Sequence, residues 1–159
     1  MRKLKLYLES SVWNFFFADD APEKKDITKI LFNSVGKNVY EIFISEVVLR
    51  EIGNASEPKR SSLFELVNKF APTELEITEE AEELAQIYLN RKIVPEEKRD
   101  DALHVAVATI FEVDALITWN YRHLANLRKS ELFHSVNLEK GYTKQLNIVT
   151  PMEVIRDED

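Results

Sequence analysis

Five short apolar runs punctuate the chain: LKLYLE from Leu4, VYEIFIS from Val39, LEIT from Leu75, VDALIT from Val113 and NIVT from Asn147. Between them lie stretches whose apolar residues recur at helical spacing, and strands that alternate with helices in this way build a parallel sheet covered on both faces. Leu4, Leu6 and Leu8 recur at period two, the mark of a strand with unequal faces. Only three glycines occur in 159 residues, few for a protein built on tight hairpins, so helix-rich architecture is favoured.

The helices announce their own ends. One begins within SSVWNFFF, and Pro22 suits the first turn of the next, where Ile27, Ile30, Leu31 and Val35 keep helical spacing. Ser45 is a natural N-cap for SEVVLREIGNA, Pro58 opens SSLFELVNKFA, and Thr78 caps TEEAEELAQIYLNR. RDDALHVAVATIFE is apolar almost all round, as a buried helix is. YRHLANLRK and SELFHSVNLEK read as helical pieces, and Pro151 stops the final strand. The chain reads as a single domain over 1–155 followed by a short acidic tail, RDED, over 156–159.

Composition removes several chemistries. There is no cysteine, which excludes disulfides, thiolate nucleophiles and cysteine-ligated zinc and fits a reducing compartment. No apolar run approaches the roughly 20 residues that span a bilayer, and MRKLKLYLE alternates where a signal peptide is continuously apolar. The expected location is the cytoplasm, where the sequon at Asn54 is idle. With 21 basic and 28 acidic residues the net charge is −7, so a polyanion must be held by a local patch or through a bound cation.

In sheets of this kind ligands gather outside the carboxyl ends of the strands, so polar residues there matter most. Glu9 follows the first strand, Glu51 lies in the helix after the second, Asp101 opens the buried helix, and Asn120 follows VDALIT. Glu46 faces Arg50 at i+4, an ordinary exposed ion pair. Glu51 instead follows Val47 and Val48 on the apolar side of its helix, where a charge needs a partner or a metal unless it reaches solvent along its stem. Asp100 suits a capping role, whereas Asp101 faces into the fold or across the strand ends. Asn120 is open between an N-cap and a site residue, and Trp119 and Tyr121 read as packing. His104, alone on an apolar helix, reads as a hydrogen-bonded core residue, and His123, flanked by Arg122 and Asn120, stays open between packing and general base. Three acids and an amide are hard oxygen donors that suit Mg²⁺ or Mn²⁺ and point to phosphate-ester chemistry. No phosphate loop, nucleophile elbow or dinucleotide fingerprint is present.

The ordered motifs resemble the PIN domain, the metal-dependent nuclease fold that includes the VapC-type toxins. Leu8-Glu9-Ser10-Ser11 is similar to the family's L-D-T-S. Ser45 through Ile52 follows S-x-x-V-L-x-E-I, Asp101 through Ala108 follows D-A-L-H-x-A-x-A, and Leu116 through Asn120 follows L-x-T-x-D/N. Thr150-Pro151 after the last strand is also similar. The resemblance implies a three-layer α/β/α sandwich and an endoribonuclease cutting single-stranded RNA, the toxin of a type II toxin–antitoxin pair. It further implies one or two Mg²⁺ or Mn²⁺ ions at Glu9, Glu51, Asp101 and Asn120, with the three acids as ligands, Ser11 supporting Glu9, a homodimer, and a protein antitoxin that blocks the site. Arg122 and Arg99 are candidate RNA contacts, and Lys98 is expected to be spent on nearby glutamates. Two departures stand out: Glu9 replaces the usual aspartate, and Asn120 is neutral. These leave open an alternative, a catalytically inert PIN-like RNA-binding or regulatory module. A phosphatase is disfavoured because no D-x-D follows the first strand.

Overall fold

The computed structural model describes residues 2–155, so the acidic tail expected over 156–159 lies outside the described residues. In chain order the elements are β1 (Leu4–Leu8), α1 (Ser10–Phe15), α2 (Pro22–Gly36), β2 (Tyr40–Ser45), α3 (Glu46–Gly53), α4 (Lys59–Phe70) and β3 (Thr73–Leu75). There follow α5 (Glu79–Asn90), a 3₁₀ turn (Glu96–Lys98), α6 (Arg99–Ile110), β4 (Ala115–Ile117), α7 (Leu127–Glu139) and β5 (Asn147–Val149). All four strand pairings are parallel, in the order β3-β2-β1-β4-β5. Helices cover both faces of this sheet, the three-layer α/β/α arrangement.

β1 is the centre, and its environment corrects the period-two reading. Leu6, Tyr7 and Leu8 are all fully buried while Leu4 is exposed, so the strand is covered on both faces at its carboxyl end. Tyr7 is tolerated there because its hydroxyl is hydrogen-bonded. The capping expectations agree with the geometry at two helices: Ser45 accepts from the Val47 amide at 3.2 Å and Thr78 from the Ala81 amide at 3.1 Å. Others change. YRHLA forms turns, and a single helix begins only where Asn126 accepts from the Lys129 amide at 3.2 Å. The short strand after α4 is Thr73–Leu75 and leaves out Ile77 and Thr78. Asp100 does not cap α6; it pairs with Arg50 at 2.6 Å, which ties α3 to α6 and withdraws Arg50 from the ion pair expected with Glu46.

α6 is buried from Asp101 through Thr109, as its all-round apolar character requires. Phe16 and Phe17 pack against the core, and Phe15 meets Trp119 with ring centroids 6.0 Å apart. Trp13 anchors α1 to β1 by donating its indole N–H to the Leu8 carbonyl at 3.2 Å. Among the described residues, no helix is long and apolar enough to cross a membrane.

Candidate active site

β1 ends at Leu8, and the next peptide still belongs to the sheet, because the Glu9 amide donates to the Ile117 carbonyl at 3.0 Å. Glu9 is thereby fixed between β1 and β4, on the line where connections leave in opposite directions across the sheet. Its side chain caps α1. One oxygen, Oε1, accepts from the Ser11 amide at 3.1 Å, from the Ser11 hydroxyl, and from the Thr118 hydroxyl at 2.7 Å. No hydrogen bond to Oε2 occurs among the described residues. Glu9 is 5% exposed, so its charge is held by these three donors and by whatever the second oxygen meets.

Glu51 arrives from α3 and is half-buried. Its Oε1 accepts from the Ser10 hydroxyl at 2.6 Å and meets His104 Nε2, also at 2.6 Å. Burial acts to raise the Glu51 carboxyl, but the hydrogen bond and charge of His104 and the hydroxyl of Ser10 outweigh it, and the group lies below its ordinary value. His104 moves the opposite way: burial acts to lower it, Glu51 overcomes burial, and the imidazole lies above its ordinary value. Across the ring, Nδ1 lies 2.7 Å from the Tyr7 hydroxyl, which in turn lies 2.7 Å from Ser45 Oγ. An unbroken buried chain therefore runs from the α3 N-cap through Tyr7 and His104 to Glu51.

Asp101 is 7% exposed at the start of α6 and is pushed up to about 6, first by burial and then by the charges of Glu9 and Glu51, with His104 and Lys98 opposing. Asn120 bridges to it, Nδ2 reaching Asp101 Oδ2 at 3.4 Å, while Oδ1 accepts from the His123 amide at 3.0 Å. No helix starts at Asn120: its amide fixes the local turn with one end and faces the acid with the other. Four segments distant in sequence converge on one place.

His104 was the residue that sequence reasoning left in the core. It lies three residues after Asp101, one turn along the same helix face, and that spacing was the available signal. Carboxylate oxygens of Glu9 and Glu51 and a nitrogen of His104 all lie within 4.8 Å of one another, while Asp101 falls outside that tight group. Nε2 that donates to Glu51 has no lone pair for a cation, so His104 acts as the orienter of Glu51. The remaining donors are carboxylate oxygens, and they fit a hard divalent cation.

Ser11 donates to Glu9 and also accepts from the Trp119 amide at 2.8 Å. Two further hydroxyls at motif positions, to which the motifs gave no role, act beside it: Thr118 donates to Glu9 and Ser10 to Glu51. Arg99 is turned to Gln86, donating to its side-chain oxygen at 2.8 Å, and Arg122 is exposed at the rim. His123 is held below its ordinary value by burial, then by Arg122 and Lys129, and its Nδ1 has no hydrogen-bond partner among the described residues. Lys98 is exposed in the 3₁₀ turn and forms no ion pair among the described residues.

No family model and no curated protein matches the chain. Among solved structures it is similar to VapC20 of Mycobacterium tuberculosis, a sarcin–ricin loop cleaving toxin, at 18% identity and a TM-score of 0.60, over 74% of this chain and 92% of that one. It is also similar to a chain of VapBC2 from Rickettsia felis, a structure bound to a DNA fragment from their promoter. That likeness has 12% identity and a TM-score of 0.54, over 92% of this chain and 98% of the other.

Proposed function

We propose that this chain, which has the PIN-domain fold of the VapC type, is a metal-dependent endoribonuclease that cuts single-stranded RNA and serves as the toxin of a type II toxin–antitoxin pair. The observation that carries this reading is the meeting of Glu9, Glu51, Asp101 and Asn120, from four separate segments, outside the carboxyl ends of β1, β2 and β4. Glu9, Glu51 and Asp101 would hold Mg²⁺ or Mn²⁺. When bound, the ion lowers the pKa of an attacking water and offsets charge that builds on the phosphate oxygens.

The chain's own residues do the rest. Ser11 and Thr118 use three hydrogen bonds to keep Glu9 Oε1 in place, which leaves the second oxygen free for the site. Hydrogen bonds from Ser10 and His104 favour the ionised form of Glu51. Asn120 fixes the position of Asp101 and offers a neutral amide for orienting water beside it. Arg122, at the rim, and Arg99, nearer α5, supply positive charge for the RNA backbone. The protein works in the cytoplasm, as a homodimer restrained by a protein antitoxin. Leu127 and Leu138 of α7, 78% and 49% exposed and eleven residues apart on one helix face, offer apolar surface for such assembly.

The test is cleavage of single-stranded RNA with Mn²⁺ by the unsubstituted protein and by Asp101→Asn. The expected result is cleavage lost in the variant, and equal activity in the two would sink the assignment. Calorimetric titration with Mn²⁺ separates the inert alternative: a live site binds metal, and Glu51→Gln weakens it. No binding at millimolar Mn²⁺ favours an RNA-binding module without turnover.

A further inference from the structure

Beside the acids a second group of side chains converges that the steps above leave unused. Lys24 of α2 places Nζ 5.3 Å from the ring centroid of Phe15, 5.6 Å from that of Trp119 and 5.0 Å from that of Tyr121. The rings are set against one another, Trp119 to Tyr121 at 6.3 Å and Phe15 to Trp119 at 6.0 Å. Trp119 is buried and pinned by its indole N–H, which donates to Thr28 Oγ1 at 2.9 Å. Tyr121 is the opposite case, 47% exposed although it neighbours Asn120.

Three features set this group apart from ordinary packing. An aromatic ring so exposed has surface left for a further partner. On a chain of net charge −7, several basic groups are spent on acids: Lys25 on Asp19, Arg50 on Asp100, and Arg2 and Lys144 on Asp114. Lys24, and Arg122 next to Tyr121 in the chain, form no ion pair among the described residues, so positive charge is available at this rim. The group is also rigidly joined to the site, because the Trp119 amide donates to Ser11, whose hydroxyl donates to Glu9.

We propose that Tyr121, Phe15 and Lys24 form a subsite for one unpaired nucleotide of the RNA strand, with the base stacked on Tyr121 and the phosphate at Lys24. Exposed aromatics beside an unpaired cation are the means by which proteins hold single strands without reading sequence. A base stacked on Tyr121 is one residue from Asn120, so the subsite sets which phosphodiester faces the acids. This inference rests on the endoribonuclease reading and names the part of the surface that holds its substrate.

The test is binding of a fluorescent single-stranded RNA of about ten nucleotides by the full chain in EDTA, followed by anisotropy, with a duplex of the same composition in parallel. Tyr121→Ala is expected to weaken single-strand binding about ten-fold, and Tyr121→Phe to retain it within about two-fold. Lys24→Gln is expected to weaken binding and to reduce the slope of log affinity against log salt by about 0.7. Lys69→Gln removes the same charge from α4 and serves as the control, with little change expected. If Tyr121→Ala and Lys24→Gln bind as tightly as the unsubstituted protein while RNA is still cut with Mn²⁺, the subsite is wrong and the enzyme reading stands. Equal losses on duplex and single strand would also overturn it, since stacking needs an unpaired base. So would loss of binding to a protein partner with RNA binding intact, which would assign the patch to that partner. If the unsubstituted protein neither binds nor cuts RNA, both readings fall together.

Discussion

Tyr7→Phe removes one oxygen from the middle of the sheet and tests the chain of groups behind Glu51. The Tyr7 hydroxyl lies 2.7 Å from Ser45 Oγ and 2.7 Å from His104 Nδ1, and Tyr7 is 0% exposed. Burial above all pushes the phenol far up from its ordinary value, so the hydroxyl keeps its proton at any working pH. After the substitution Ser45 still has the Val47 amide, but His104 Nδ1, on a residue with 0% exposure, has nothing. A buried polar atom left without a partner costs about 1–3 kcal/mol, and the lost hydroxyl–hydroxyl bond adds about 1 kcal/mol. The sum, about 2–4 kcal/mol, lowers the Tm of a domain this size by about 5–15 °C. The second effect is functional. Removal of groups that orient a metal ligand costs about 10–100-fold in affinity, and Tyr7 acts one bond further back, so Mn²⁺ affinity should fall at the low end of that range, about ten-fold or less. Thermal unfolding and calorimetric Mn²⁺ titration read the two quantities separately. A variant with both Tm and Mn²⁺ affinity unchanged would refute the idea that Tyr7 fixes His104, and with it the positioning of Glu51.

Two further outcomes follow from the charges. Asp114 accepts from Arg2 at 2.8 and 3.1 Å, from Lys144 at 2.8 Å and from the Lys5 amide at 2.7 Å, and Arg2's hydrogen bond foremost holds its carboxyl far below the ordinary value. A depressed carboxyl stabilises the fold above its unfolded pKa, near 3.8, and loses that contribution as pH falls toward the folded value. Asp114→Asn should therefore cost about 1–2 kcal/mol at pH 7, discounted because Arg2 is largely exposed, and progressively less below pH 4; urea unfolding at several pH values measures the convergence. Glu9→Gln keeps the reach of the side chain but removes its charge, one cause of the rise of Asp101 to about 6. The Asp101 carboxyl should then titrate lower in a carbon-detected NMR experiment on metal-free protein, and Mn²⁺ should bind at least about ten-fold more weakly. An unmoved Asp101 would show that Glu9 does not share its site.

Much of this was legible along the chain because it depends on near neighbours. Ser45 and Thr78 cap helices through backbone groups two and three residues away, and the apolar wheel of α6 states that this helix is buried. Glu9 and Asn120 stood out by their place just after strands, Glu51 and Asp101 by acids set on the apolar side or at the mouth of a helix. What failed was pairing at a distance. Arg50 has Glu46 at helical spacing, yet it meets Asp100, fifty residues on, because α6 packs beside α3 and brings an acid closer. His104 looked like a core histidine and is one, but the same ring reaches Glu51 on its other side. Tyr121 read as packing, and only the folded surface shows it half in solvent.

The sequence by itself determined the alternation of strands and helices, the parallel sheet and the positions of Glu9, Glu51, Asp101 and Asn120, because local periodicity and capping depend on residues a few places apart. The tertiary structure decided which of these groups touch, that Glu9 is clasped by Ser11 and Thr118, that Tyr7 and His104 stand behind Glu51, and that Lys24 lies among three rings. Those contacts join residues up to 109 positions apart in the site. Their energies come from burial and from hydrogen bonds at 2.6–2.8 Å, which exist only once the strands β2, β1 and β4 lie side by side.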